Sequence, residues 1–143
     1  MTMKREIEFR GQRADNKEWV YGFYYKRTYF YGDLSVKHYI IVSNEDLGYD
    51  QALEYYEVIP ETVGQYTGIK DKNGKKVYEG DIIQGTITSR WNKSLIRCEI
   101  VYKCDCFLAI EKISNTLWEH KIRFAKDIEV IGTVFDKESD NGD

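Results

Sequence analysis

One dipeptide constrains this chain more than any other feature. Asn73-Gly74 stands in GIKDKNGKKVYEGDII (residues 68–83), between runs of strand-forming residues. A type I′ hairpin turn needs positive φ at both central positions, and Asn followed by Gly meets that need at the least strain. The expectation is a hairpin centred on Asn73 and Gly74, joining strands near 69–71 and 76–78. Gly80-Asp81 then marks a second turn, and Ile82-Ile83 opens a further strand.

The rest of the chain repeats the β signal. Trp19, Tyr21, Phe23 and Tyr25 fall on one face of an extended segment, with Val20, Gly22 and Tyr24 on the other. Period-two spacing with aromatic enrichment marks a strand, so residues 5–26 read as a hairpin turning through 11–17. Residues 38–42 are a β-branched run. In 97–102, Cys98, Ile100 and Tyr102 face one way and Glu99 and Val101 the other. Residues 106–110 and 128–135 read as two more strands. The acidic stretch 44–57 suits a short helix capped by Asn44, weakened by Gly48. Residues 114–126 fit helix or strand equally well. Aromatics make up 15% of the chain, with 12 Tyr and 1 Pro, which favours pleated, half-buried surfaces. The expected class is mostly β, a small barrel or sandwich. The chain divides near 64–69 into a β-rich region 1–66 and a second part 67–137. An acidic, flexible tail follows at 138–143.

Charge and cysteine usage narrow the function classes. The net charge of −3 carries no chain-wide basic footprint for nucleic acid. No apolar run approaches the roughly 20 residues that span a bilayer, and the start turns polar at once, so neither a membrane partner nor a signal peptide is expected. Cys98, Cys104 and Cys106 make an odd, unevenly spaced set, which suits reduced thiols in a cytosol.

Metal and catalytic chemistry are weighed residue by residue. Cys104 and Cys106 form a single C-x-C pair that would share a strand face. Only Cys98, His38 and His120 could complete a zinc site, so no metal or other cofactor is expected. Asp71, Asn73 and Gly74 lack the sixth-position Gly and twelfth-position Glu of a calcium loop. His38 reads as structural and His120 as exposed. No nucleophile elbow, P-loop, dinucleotide fingerprint or H-E-x-x-H pattern occurs, so no catalytic residues are assigned and the chain is not read as an enzyme.

Three blocks, IEFRGQRADNKEWVYGFYY, VIPETVGQYTGIKDKNGKKVYEGDII and IEVIGTVFDK, resemble the YopX family of phage and prophage proteins in order and spacing. The resemblance implies a two-part chain whose C-terminal part is similar to a small SH3-type barrel. It implies no mechanism, since the family's function is unknown.

The function expected is therefore binding. The first reading is an accessory module that contacts a protein partner or a second copy of itself, because tyrosine is favoured at interfaces. The alternative is a nucleic-acid-binding module using basic loops of the C-terminal part. Its residues would be Lys72, Lys75 and Lys76 around the hairpin, with Arg90, Trp91 and Lys93 beyond it. Lys26 and Arg27 among Tyr24, Tyr25 and Tyr29 form a third basic and aromatic group. Lysines at a hairpin tip also serve simply to keep a sheet edge soluble.

Overall fold

The structure is a computed structural model and describes residues 5–30, 32, 34–42 and 54–136. Its regular elements are strands and single 3-10 turns, so the chain is mostly β as expected. The strands are β1 (Phe9–Gln12), β2 (Trp19–Tyr29), β3 (Ser35–Val42), β4 (Glu54–Glu57), β5 (Gly64–Lys70) and β6 (Lys76–Tyr78), then β7 (Asp81–Thr88), β8 (Lys93–Lys103), β9 (Cys106–Ile113), β10 (Thr116–Lys121) and β11 (Lys126–Thr133). The chain separates into two compact units, Met1–Tyr66 and Thr67–Asp143.

Unit 1 is an antiparallel sheet ordered β4-β3-β2-β1, with the first residues of β5 beside β1. β2 serves two partners in turn. Its residues 19–22 pair with β1, and Phe23 onwards pairs with β3. The change-over falls at Gly22, where a Cβ would lie 2.0 Å from the Ile41 carbonyl oxygen. Only a residue without a side chain lets β2 turn from one ladder to the next. The sheet curls until its far ends meet. Ala14 N–H donates to Glu57, Arg13 bridges Val58, and Ile59 N–H donates to Gln12. Inside this curl sit Ile40 and Val58, both essentially without solvent contact. Of the stretch expected to be helical, Glu54–Glu57 is a strand paired to β3. Its earlier part, with Asn44 and Gly48, lies outside the described residues, as does the tail 138–143.

Unit 2 is a five-stranded antiparallel sheet ordered β10-β9-β8-β7-β11, and β6 pairs with β5. β10 and β11 are its edges, so the sheet is open where the resemblance implied a small barrel. A 3-10 turn, Ile122–Phe124, separates β10 from β11, which settles 114–126 as a strand followed by a tight turn. Alternation on β8 buries Ile96, Cys98 and Ile100, and these pack with Val77, Ile83, Ala109, Ile122 and Ile128 in one cluster. Each of the Ile and Val side chains among them contributes about 1.5–3 kcal/mol by leaving water.

Two turns correct the expectation for the hairpin. Around Asn73-Gly74 the hairpin is present, but only Gly74 of the pair has a positive φ, at 82°. Gly74 N–H donates to the Asp71 carbonyl and Asp71 N–H donates to Lys75, so Lys72 and Asn73 are the central residues and Gly74 is the left-handed residue that follows. This is the three-residue loop with a bulge, not type I′. The cause is Asp71, whose Oδ1 accepts N–H bonds from Asn73 and Lys75. That side-chain ring favours the longer loop. The turn with both central residues at positive φ lies instead between β8 and β9, at Cys104 (54°) and Asp105 (67°).

Candidate functional site

A group of exposed aromatic side chains lies on unit 1. Side chains alternate along a strand, so residues 21, 23, 25, 27 and 29 of β2 share a face. Register then builds rows across three strands. Phe23 stands opposite Ile41 and Ile41 opposite Tyr55, while Tyr25 stands opposite Tyr39 and Tyr39 opposite Glu57. Ile40 on the other face is buried, so this face looks outward. Phe23 is 61% exposed and Tyr55 65%, with Tyr21 and Tyr25 also open to solvent. The expected alternation of Trp19, Tyr21, Phe23 and Tyr25 is present, and the aromatic side of it is the outer one.

The rings are held by one another. Tyr39 meets Tyr55 edge-on at 5.7 Å between centroids and lies 6.3 Å from Tyr25. The Tyr39 and Tyr29 hydroxyls are hydrogen-bonded at 2.8 Å. That bond, then burial and the neighbouring phenol, push the Tyr39 ionisation up to about 12. At the end of the face the Arg27 guanidinium lies 4.9 Å over the Tyr29 ring and Lys37 Nζ lies 6.0 Å from it. Lys37 also pairs with Glu57 at 3.7 Å. Such a surface can bind by apolar contact at its centre and by charge at its rim. Sequence alternation located the β2 half. Tyr39, Ile41 and Tyr55 were missed because their alignment depends on register between strands, and Tyr55 lay in the presumed helix.

The basic residues singled out in the sequence stand on two separate turns of unit 2. Lys72 and Lys75 are exposed around the β5–β6 loop, and Lys76 opens β6, half-buried. This loop is pinned to β11: Lys72 N–H donates to Ile128 and Asp71 Oδ2 accepts from Val130. Lys72 Nζ is 3.5 Å from Glu129, so its charge is partly answered. Burial alone would raise the Asp71 carboxyl. The three N–H donors from Val130, Lys75 and Asn73 outweigh that and hold it below its ordinary value. Arg90, Trp91 and Lys93 lie together at the β7–β8 turn, all exposed.

The histidines and thiols are placed as follows. The His38 Nδ1 and the Tyr24 hydroxyl are 2.5 Å apart with the rings stacked. His120 is half-buried, not exposed as expected, because its Nε2 meets Glu111 Oε1 at 2.9 Å on the inner side of the sheet. Cys98 is in the core, and burial, then the Glu111 charge, push its thiol up to about 12. Cys104 lies in a turn and Cys106 opens β9, both exposed, so the three do not share one face. Among the described residues no group of three or more His, Cys, Asp or Glu could hold a metal ion. Nor is any helix there long and apolar enough to cross a membrane.

A family model described as YopX protein matches residues 8–139. The chain belongs to the YopX family. Comparison with curated proteins finds no match. The strands of both units of this YopX chain, β1 through β11, fall within the matched span.

Proposed function

We propose that this YopX-family chain is a non-catalytic accessory module of phage or prophage type, working in the bacterial cytoplasm. It binds a protein surface, a second copy of itself being the first to test, through the outward aromatic face of unit 1. The observation that carries the reading is the row Phe23–Ile41–Tyr55 with Tyr21, Tyr25 and Tyr39 beside it, on the side of the sheet turned away from Ile40. Large apolar side chains grouped in this way on a folded surface mark an interaction site, and aromatics carry most of the energy at protein interfaces. A non-catalytic role is supported by the engagement of both histidines, His38 by Tyr24 and His120 by Glu111. In this reading unit 2 is the SH3-type half. Four meandering strands, β7 to β10, a 3-10 turn before the fifth, and the return of β11 to β7 support that assignment.

Site-specific photo-crosslinking tests the reading. A photoreactive residue at Phe23 should capture one defined protein species in bacterial cells making the chain, either its own dimer or a single partner. The same probe at Leu95, an exposed apolar residue of unit 2, should not. Adding Tyr25→Ser and Tyr55→Ser should remove the product. Equal crosslinking at the two positions, or none at Phe23, sinks the proposal.

A further inference from the structure

Unit 2 contains a cleft of about 560 Å³, lined by Ile87 and Thr88 of β7, by Glu119, His120 and Lys121 of β10, and by Arg123 and Lys126 beyond it. Its charge runs against that of the chain. Lys121, Arg123 and Lys126 all face it and all are exposed. The lining carboxylate, Glu119, is in an ion pair with Lys103 of β8, and His120 is bonded to Glu111. Asp127, next to Lys126, is exposed but does not line the cleft. Two residues that line the cleft, Ile87 and Thr88, lead directly into the turn that carries Arg90 and Trp91, and Lys93 pairs with Thr88 on the way back. The end of the sheet thus brings cations from three segments of sequence to one place.

Trp91 supplies the second element. It is 84% exposed, the largest value among the exposed apolar side chains of the described residues. Its backbone is nonetheless fixed. Ser89 N–H donates to the Asn92 carbonyl at 2.7 Å, and the Ser89 hydroxyl accepts from the N–H groups of Trp91 and Asn92 at 3.3 and 3.1 Å. An indole held open to water by an ordered turn, beside grouped cations, suits a ligand with both anionic and flat aromatic parts. Unpaired nucleotides have both, and every base offers a π-face. A duplex hides its bases from such a side chain, and no α-helix occurs among the described residues to enter a groove.

We propose that this cleft binds single-stranded nucleic acid, with Lys121, Arg123 and Lys126 on the phosphodiester backbone and Trp91 stacked on a base. Arg90 and Lys93 extend the basic track along the β7–β8 turn. This activity is separate from the protein-binding face of unit 1 and does not depend on it.

The experiment is a fluorescence-anisotropy titration of the whole chain against a labelled oligothymidylate and against a duplex of the same length, over a series of salt concentrations. Binding to the single strand should weaken with salt with a log–log slope of about −0.7 for each phosphate contacted, so roughly −2 for three cations. Lys121→Ser with Lys126→Ser should weaken binding at least about tenfold and flatten the slope. Trp91→Ala should weaken it about tenfold with the slope unchanged, since a stacking contact releases no counterions. Circular dichroism confirms that each variant keeps its fold, which the exposure of all three positions favours. The proposal is overturned by no binding at low salt, by equal affinity for the duplex, or by wild-type affinity in either variant. Tighter binding of a poly-glutamate peptide than of the oligonucleotide would show an acidic protein to be the ligand and would also overturn it.

Discussion

The two units place their large side chains in opposite ways. In unit 2 the alternation of β8 turns Ile96, Cys98 and Ile100 inward, onto one cluster with Ile83 and Ile128. In unit 1 the alternation of β2 turns Tyr21, Phe23 and Tyr25 outward, while the inside of the curl holds the smaller Ile40 and Val58. The same period-two pattern therefore serves stability in one unit and surface in the other. Periodicity alone reports that a strand has two unlike faces; it does not report which of them meets water. Aromatic residues do not decide it, because they are both strong strand formers and side chains favoured at interfaces.

The contrast breaks first under truncation. Ile83→Ala in the cluster should cost about 2–5 kcal/mol, since the cavity left behind adds to the lost burial. Urea unfolding at neutral pH measures it. A loss below about 1 kcal/mol would mean that the cluster collapses around the gap and is not close-packed.

The pinned loop of unit 2 gives the next effect. Asp71→Asn should cost about 1–3 kcal/mol, because an amide cannot replace a carboxylate accepting three N–H bonds. The pH dependence carries its own sign. The Asp71 carboxyl is held below its ordinary value in the fold, so its contribution is fully present above that ordinary value. It is lost as pH falls through the lowered one. Urea midpoints taken from neutral to acid pH should show the wild type losing this increment and Asp71→Asn having none to lose.

Gly74→Val follows, at about 1–2 kcal/mol, because a β-branched residue resists positive φ. Nothing lies within 4 Å of the site of a Cβ at Gly74, so the whole cost is backbone conformation. Gly74→Asn, which tolerates the left-handed region, should recover most of it. Equal losses in the two variants would show a contact where the geometry has none.

The smallest effect belongs to the outward face of unit 1. Phe23→Ser and Tyr55→Ser should each change stability by less than about 0.5 kcal/mol, as exposed substitutions usually do. A cost near that of Ile83→Ala would show this face to be packing rather than surface, and the comparison between the units would fail.

The local pattern of the chain was legible and the choices between strands were not. The alternation on β8 set Cys98 and Ile100 on one face, which the structure buries while leaving Tyr102 exposed, and the turn at residues 71–75 was found from Asn73-Gly74. The type of that turn was not, because the decision rests on the Asp71 carboxylate and its long-range bond to Val130. The Cys104-Asp105 turn gave only a weak signal, since Asp tolerates positive φ but Cys is not a residue that it selects. Of the basic residues, Arg90, Trp91 and Lys93 were visible as a cluster in sequence. Lys121, Arg123 and Lys126 were not, because only the return of β11 to β7 brings them to the same end of the sheet.

The two edges of the unit 2 sheet differ in a way that bears on how the protein behaves when concentrated. β11 is covered by the loop that Asp71 and Lys72 pin to it. β10 is bonded on one side only, and Leu117 and Trp118 are exposed along it. An open row of N–H and C=O groups flanked by apolar side chains is a template for fibre growth. Glu119 and Lys121 stand on that same strand. A copy added in parallel register would set Glu119 against Glu119 and Lys121 against Lys121, and like charges directly opposed destabilise such a pair. That charge pattern opposes in-register parallel stacking of this edge, whereas an antiparallel copy centred on His120 would set Glu119 against Lys121 and pair opposite charges.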